Sequence, residues 1–497
     1  MLAVQAALCL RLLWTATAEI DEGFYITVGR LELNHLFHHA AMPEVASFMS
    51  GSPVVYPPLA ALADDVGGLA AARALSLVFL LIATVLLHGV ARRLLLSRAA
   101  ATFAAALFGW LGTTQFIGSF ATFDAMALTL LALATWAGVR AAETHGTLRY
   151  ALLGAAGLCV ALADAAKYAA ALFDPVVLLV VALAAWRAAG RRVGLASLGT
   201  VALATALPLI IGYELAGSAF RAGVSSTTLH RPAGTDSVGA ILGLTARTTG
   251  VILVLAVLGA IVLTARRPGW PTVTLGWILV AAGFLAPAEQ ARIHTLESLF
   301  KHVGYGAWFA AVPAGYFLAQ LPALLTSLVA SPGALPSARR RWALAIGAVA
   351  GCLVVLVAGT VGVPIANNQR DGWPDSRQMI ADLSRVVRPS GLYLIEDPYV
   401  VTYYLHPKIS FWNVVDTYVL DYHDPQTHQV LTGAAGYADA IKNGYFTGIV
   451  LDFGDTYATD QLVLQDIDRY HTYRLIYTVP FDDSYGAGAY RIWLRNP

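Results

Sequence analysis

Eleven apolar stretches dominate this chain and leave it few ways to fold. They run approximately over Leu2–Ala18, Leu69–Ala91, Ala99–Phe116, Asp124–Val139, Tyr150–Ala166, Ala169–Trp186, Val193–Tyr213, Thr249–Thr264, Thr272–Ala288, Val303–Leu321 and Trp342–Val363. A helix crossing a bilayer needs ~20 mostly apolar residues, and inside lipid every backbone polar group must find its partner within the segment. The stretches therefore read as spanning helices, the shorter ones fitting by tilt or local thinning of the bilayer. Only 13% of residues are charged, against ~25% in soluble domains, so a soluble globular protein does not fit. The 32 Lys plus Arg nearly balance the 31 Asp plus Glu, which leaves no basic field for a nucleic-acid partner. Cys9, Cys159 and Cys352 lie inside apolar runs and offer neither a disulfide framework nor a CxxC site.

Basic residues in short loops gather on the cytoplasmic side. The clusters here are Arg92, Arg93 and Arg98; Arg140 and Arg149; Arg187, Arg191 and Arg192; Arg266 and Arg267; and Arg339 to Arg341. With eleven spans all five fall on one side, which predicts a cytoplasmic N-terminus and an extracytoplasmic C-terminus in the cell (inner) membrane. Ala16-Thr17-Ala18 has the small-x-small form of a signal-peptide cleavage site, but no basic residue precedes the apolar run and Arg11 interrupts it. Beyond Val363 the composition shifts, with 14 of the 21 Tyr lying there. Residues 364–497 then form a soluble extracytoplasmic α/β domain, with strands over Leu392–Ile395, Gly448–Leu451, Leu475–Val479 and Tyr490–Leu494 and helices over Gly436–Lys442 and Asp460–Tyr470.

The outer loop 19–68 opens with Glu19, Asp21 and Glu22 at the membrane face. Adjacent acids there also suit a solvated helix end, yet the loop is longer than a connection needs. Its segment Phe24–Phe37 has the spacing of an interfacial helix, and Tyr56-Pro57-Pro58 predicts a rigid extended element before the chain re-enters lipid. Asp124 begins the fourth span on the same face. An N-cap role suits it, but an ionisable group at membrane depth is also a functional candidate.

Lys167 lies in Asp-Ala-Ala-Lys-Tyr (164–168), where an i,i+3 pair with Asp164 would let it snorkel to the interface. The outer loop before the tenth span carries Glu289, Arg292, His294, Glu297, Lys301 and His302. Glu297 and Lys301 have the spacing of a surface pair. Arg292, Lys301 and His302 nevertheless oppose the positive-inside trend, and a phosphate would justify them. His35, His38 and His39 suggest a metal cluster without a third ligand of known spacing, so interfacial histidines suit them better. Tyr403, Tyr404 and Trp412 suit core or interface aromatics.

The order and sidedness of five short segments resemble the polyprenyl-phosphate-sugar-dependent glycosyltransferases of the GT-C fold, in particular the superfamily of protein O-mannosyltransferases and the lipid A aminoarabinose transferase. The segments are Asp21-Glu22, Tyr56-Pro57-Pro58-Leu59, Thr122-Phe123-Asp124, Lys167-Tyr168 and Lys301-His302-Val303-Gly304-Tyr305. The resemblance covers roughly residues 1–363, a transmembrane GT-C-like catalytic domain, and makes the chain mostly α, a polytopic membrane protein of about eleven helices with a C-terminal α/β domain. It implies a polyprenyl-phosphate-linked sugar donor bound at the outer face among membrane lipid. The acceptor remains open: a glycan, a protein or a lipid.

A phosphodiester leaves as a stable anion and needs no general acid, only charge stabilisation, for which Lys167, Arg292, Lys301 and His302 are the candidates. The acceptor hydroxyl needs a base, assigned to Asp21 at the low-dielectric membrane edge. Direct displacement would invert the anomeric centre. Asp124 would orient the acceptor, support Asp21 or share a divalent cation; no other cofactor is implied. Glu22 is the second choice of base, since adjacent side chains diverge. Tyr56, Tyr168 and Tyr305 would line the substrate pocket. The alternative is a transporter or flippase of lipid-linked glycans, for which paired repeats and charges near the bilayer midplane are expected.

Overall fold

A computed structural model describes residues 1–329 and 337–497. The chain is mainly helical, and among the described residues eight helices are long and apolar enough to cross a membrane. In chain order the helices before the sheet are α1 (Leu2–Leu10), α2 (Ile20–His38), α3 (Pro57–Leu95), α4 (Arg98–Trp110), α5 (Gly112–Ile117), α6 (Asp124–Ala141) and α7 (Gly146–Ala166). There follow α8 (Asp174–Ala189), α9 (Arg191–Leu215), α10 (Gly217–Val224), α11 (Val238–Ala265), α12 (Trp270–Arg292), α13 (Leu299–Val329) and α14 (Ser337–Arg370). The eight are α3, α7, the Tyr168–Ala189 segment containing α8, α9, α11, α12, α13 and α14. The other three apolar runs lie on shorter pieces: α1, the α4/α5 pair broken at Leu111, and α6. Side chains of Arg339 and Arg340, in the last basic cluster, lie outside the described residues.

One continuous apolar core joins α3, α4, α6, α7, α8, α11, α12 and α13. Trp308 is fully buried in it and donates from Nε1 to the Ala83 carbonyl at 2.9 Å. The expected extended element at Pro57-Pro58 is instead the first turn of α3. Proline is tolerated there because the first helical N–H groups have no intrahelical partner and its fixed φ already suits a helix. The helix then bends at Gly67 and Gly68, where Gly68 takes φ 65°, before its spanning part begins.

The C-terminal region adds α15 (Arg377–Val386), α16 (Pro398–Leu405), α17 (Gly433–Lys442) and α18 (Tyr457–Tyr470). Its strands are β1 (Tyr393–Ile395), β2 (Val414–Val415), β3 (Asp421–His423), β4 (Val430–Thr432), β5 (Gly448–Leu451), β6 (Tyr473–Asp483) and β7 (Gly486–Arg495). The main sheet has the order β2-β1-β5-β7-β6, with β2, β1 and β5 parallel and β7 antiparallel to both neighbours; β3 and β4 pair as a separate hairpin. All four expected strands and both expected helices coincide with observed elements. Leu394, Ile449 and Leu451 pack towards α17 and α18, whereas Tyr393, Ile395 and Val450 pack towards α15 and α16. Burial on both faces explains why β1 and β5 read as unbroken apolar runs rather than alternating ones.

This region is fastened to the membrane part through α2. Gly23 sits so close to α16 that a Cβ there would lie 2.5 Å from the Tyr399 carbonyl oxygen. Tyr403 donates to Asp64 at 2.7 Å while Asp64 also pairs with Arg30, and the Ala18 N–H donates to Tyr404 Oη at 2.8 Å. Tyr403 and Tyr404 are thus interface aromatics, as expected. Gly23→Ala is expected to destabilise the chain by ~1–3 kcal/mol through overpacking, read as a lower thermal midpoint of the detergent-solubilised protein.

Glu396, immediately after β1, organises the loop after β5. Its carboxylate accepts the backbone N–H groups of Asp452, Phe453, Gly454 and Thr456 at 2.8–3.0 Å. Burial would push this carboxyl up, but the hydrogen bonds it receives outweigh burial and hold it at about 2, against 4.5 unperturbed. A depressed carboxyl stabilises the fold at pH above its unfolded value, and that contribution fades as pH falls from ~4.5 towards ~2. Glu396→Gln is therefore expected to cost ~1–3 kcal/mol near neutrality, with the gap in thermal midpoint between wild type and variant closing on acidification through that window.

Candidate functional site

The acids after α1 are set by a capping box. Glu19 caps α2, its Oε2 accepting the Asp21 N–H at 2.6 Å while Glu22 accepts the Glu19 N–H at 3.2 Å. Glu22 is fully buried and is held by Arg73 Nε at 2.8 Å and Nη2 at 2.6 Å, with the Ala121 N–H also donating at 2.8 Å. Arg73 in turn donates to the carbonyls of Leu13, Ala16 and Thr17. Every face of the Glu22 carboxylate is thus occupied by a structural donor, which removes Glu22 from the candidate bases. Neither Arg73 nor this role was legible in the sequence, since Arg73 lies 51 residues away inside an apolar run.

Asp21 diverges from Glu22, as expected of adjacent side chains, and joins a second set of charges. Its Oδ2 accepts from Lys301 Nζ at 2.8 Å, and Tyr25 Oη donates to its Oδ1 at 3.3 Å. Asp124 accepts from Lys167 Nζ at 3.1 Å, from Thr122 Oγ1 at 2.9 Å and from Tyr305 Oη at 3.4 Å. Two carboxylate–ammonium pairs contributed by four distant segments therefore meet at one end of the helical core. The lysines also face aromatic rings: Lys167 Nζ lies 4.3 Å from the Phe123 centroid and Lys301 Nζ 5.5 Å from that of Phe120. Such a contact partly repays the desolvation of an ammonium. Within this group Asp21 is the open member, its side chain 32% exposed against 0% for Asp124.

Both lysines escape the local pairs that the sequence suggested. Lys167 reaches Asp124 rather than Asp164, whose buried carboxyl faces that of Asp174. Lys301 reaches Asp21, while Glu297 pairs with Arg231. Asp124 is the first residue of α6 and makes no capping hydrogen bond, so the N-cap account fails; its carboxylate turns to Lys167 instead. What holds Lys167 in place is a backbone graft: Ser52 N–H donates to the Ala165 carbonyl and Tyr168 N–H to that of Ser50.

His302 adjoins the lysines in sequence and contacts Gln290 through Nδ1 at 3.3 Å. Tyr56 packs edge-on to Tyr25 and Phe123, and Tyr305 stacks on Phe173. Tyr168 turns to Phe220. Arg292 does not join the group: it pairs with Glu289 and its side chain stays 64% exposed, because the two are neighbours on the last turn of α12. His35, His38 and His39 are exposed at the end of α2. Among the described residues no three His, Cys, Asp or Glu side chains are arranged to hold a metal ion.

Such a site offers one solvent-reachable carboxylate beside buried ammonium groups, a combination able to take a proton and to hold an anion. No protein-family model and no curated protein matches the chain. Among solved structures it is similar to ArnT from Cupriavidus metallidurans bound to undecaprenyl phosphate, at 17% identity and TM-score 0.60, covering 98% of this chain and 96% of that one. The apo structure of the same ArnT matches at TM-score 0.58 over the same shares and at the same identity. The arabinofuranosyltransferase AftD from Mycobacteria matches at 14% identity and TM-score 0.51, covering 100% of this chain and 40% of that one. The chain has the GT-C fold of these membrane glycosyltransferases and is a multi-pass membrane protein.

Proposed function

We propose that this protein is an integral membrane glycosyltransferase that moves a sugar from a polyprenyl-phosphate-linked donor to an acceptor hydroxyl at the outer face of the cell membrane. The observation that carries the reading is the pairing of an accessible Asp21 with Lys301, beside the buried Asp124–Lys167 pair. The undecaprenyl phosphate bound by the similar ArnT structure supports the donor class. The N-terminus would then be cytoplasmic and residues 364–497 extracytoplasmic.

In this reading the donor phosphodiester takes up the ammonium of Lys301, with Lys167 and His302 alongside, and so releases the Asp21 carboxylate. Asp21 accepts the proton of the acceptor hydroxyl as its oxygen bonds to the anomeric carbon. The bond from that carbon to the phosphate oxygen breaks, and polyprenyl phosphate departs as an anion that needs no proton. Preorganised cations around the departing charge are worth ~10²–10³ in rate for each donor removed. Asp124 keeps Lys167 and Tyr305 in place and does not itself receive the proton. Attack opposite the leaving phosphate inverts the anomeric configuration.

The test is transfer by the purified protein in liposomes, from a radiolabelled polyprenyl-phosphate sugar to acceptors in a membrane extract. Labelled acceptor and free polyprenyl phosphate are expected, and Lys167→Met is expected to slow their formation by ~10²-fold or more. Movement of intact donor between leaflets without transfer would replace this function by that of a flippase. Retained anomeric configuration in the product would overturn the direct displacement.

A further inference from the structure

Asp21 uses its two carboxylate oxygens differently. Oδ2 faces Lys301 Nζ on α13 at 2.8 Å, whereas Oδ1 faces Tyr25 Oη, one turn further along α2, at 3.3 Å. The i,i+4 spacing puts both side chains on one face of the helix, and the capping box of Glu19 and Glu22 fixes the turn that carries Asp21. Tyr25 is 4% exposed. Burial, followed by the charges of Asp21 and Asp124, raises its phenol well above the usual range, so the hydroxyl stays protonated and donates to the carboxylate.

The ring of Tyr25 is held independently of that contact. Its centroid lies 4.5 Å from that of Phe123, 5.6 Å from that of Phe24 and 6.4 Å from that of Tyr56, which it meets edge-on. Phe123 also carries Lys167 Nζ, 4.3 Å from its centroid. Gly51 packs against the same ring, and a Cβ there would lie 3.4 Å from Phe123 Cε1 and 2.1 Å from the Ala166 carbonyl oxygen. One aromatic ring therefore touches both the tyrosine beside the candidate base and the lysine of the second ion pair. Phenylalanine at position 25 would keep this packing and lose only the hydroxyl, a group whose burial is costly without a partner.

We infer that Tyr25 is a positioning residue for the transfer reaction: its hydroxyl holds Asp21 in place when Lys301 turns to the donor phosphate, leaving Oδ2 to receive the acceptor's proton. The inference rests on the glycosyltransferase reading and adds to it a residue that the reading does not itself require. Among the described residues, the side chains bonded to that of Asp21 are Lys301 and Tyr25. Once the ammonium is taken up by phosphate, Tyr25 is the remaining tether of a side chain that is 32% exposed. A separation of 3.3 Å is long for a hydroxyl donor, and catalytic hydrogen bonds commonly shorten when substrate binds. A base displaced by about 1 Å loses ~10²-fold in rate.

Single-turnover transfer and donor binding should be measured in liposomes for the full-length wild type, Tyr25→Phe, Asp21→Asn and the double variant. Tyr25→Phe is expected to slow transfer by ~10–10²-fold while donor affinity stays within about threefold of wild type. In the Asp21→Asn background the same substitution should slow transfer no further, because a residue acting through the base then has nothing left to position. Tyr403→Phe, which deletes the hydroxyl bonded to Asp64 at 2.7 Å, should transfer at the wild-type rate. The inference is overturned by wild-type transfer in Tyr25→Phe, by donor binding lost in step with rate, or by a further loss on top of Asp21→Asn. A Tyr403→Phe protein slowed as much as Tyr25→Phe overturns it too, as does a Tyr25→Phe protein that does not fold, since the hydroxyl is then structural. If the wild type itself transfers nothing, the proposed function falls and this role with it. If the wild type transfers and Tyr25→Phe matches it, only the role falls.

Discussion

An Asp21→Asn protein is expected to fold, to bind donor, and to lose ~10²–10⁴-fold in the rate of sugar transfer, the range typical of a removed general base. The change is isosteric: the amide oxygen can take the place of Oδ2, now 2.8 Å from Lys301 Nζ, while the amide NH2 replaces Oδ1 and can donate to Tyr25 Oη, now 3.3 Å away. The capacity to accept a proton is lost, together with the negative charge that faces Lys301. The exchange also takes from the buried Lys301 its nearest counter-ion, so a lower thermal midpoint is expected beside the loss of transfer. Single-turnover transfer measured beside donor binding separates the two effects. Unchanged transfer with Asn in place would dismiss Asp21 as base, and transfer lost together with donor binding would reassign it to holding Lys301.

The largest loss of stability is expected at Arg73. Its side chain is 1% exposed and bonds Glu22 twice, as well as the three carbonyls of Leu13, Ala16 and Thr17. Arg73→Met would leave the Glu22 carboxylate buried without its cation, and removing one partner of a buried pair costs ~3–5 kcal/mol. Either unfolding in mild detergent or a collapse of the thermal midpoint is expected. Glu22→Gln with Arg73→Met together should recover part of the loss, because the stranded charge is then gone. A double variant no more stable than Arg73→Met would show that the carbonyl contacts, not the ion pair, carry the effect. Arg73 therefore governs where Asp21 stands without touching it.

Much of the fold was legible because the bilayer imposes a strict rule on sequence. Eight of the eleven apolar runs coincide with helices of spanning length, and the strands β1 and β5 stand out because both of their faces are buried. The missed features have local physical causes. The run Ala99–Phe116 is uniformly apolar, yet it breaks at Leu111, where the backbone leaves helical geometry at ψ 148°. Hydropathy reports what a segment can be buried in, not whether its helix is continuous. Pro57-Pro58 suits an extended segment and a first helical turn equally well, and neighbouring residues decide between them. The short strands β2, β3 and β4 have no run long enough to register.

The charged site divides along the same line. Sequence alone determined that a few acids and bases must be kept among long apolar runs, and that Asp21, Asp124, Lys167 and Lys301 were among them, because charge in such surroundings is too costly to retain idly. It could not determine the pairing. Sequence proximity favoured Asp164 with Lys167 and Glu297 with Lys301, pairs that a regular helix would allow. The tertiary structure instead joined Asp124 to Lys167 and Asp21 to Lys301 across 43 and 280 residues. It also committed Glu22 to Arg73, left Arg292 at the surface, and brought the strand ends of the C-terminal sheet over the first turn of α2, which bears Asp21. Burial sets the strength of each ion pair, and burial belongs to the packed whole rather than to any stretch of chain.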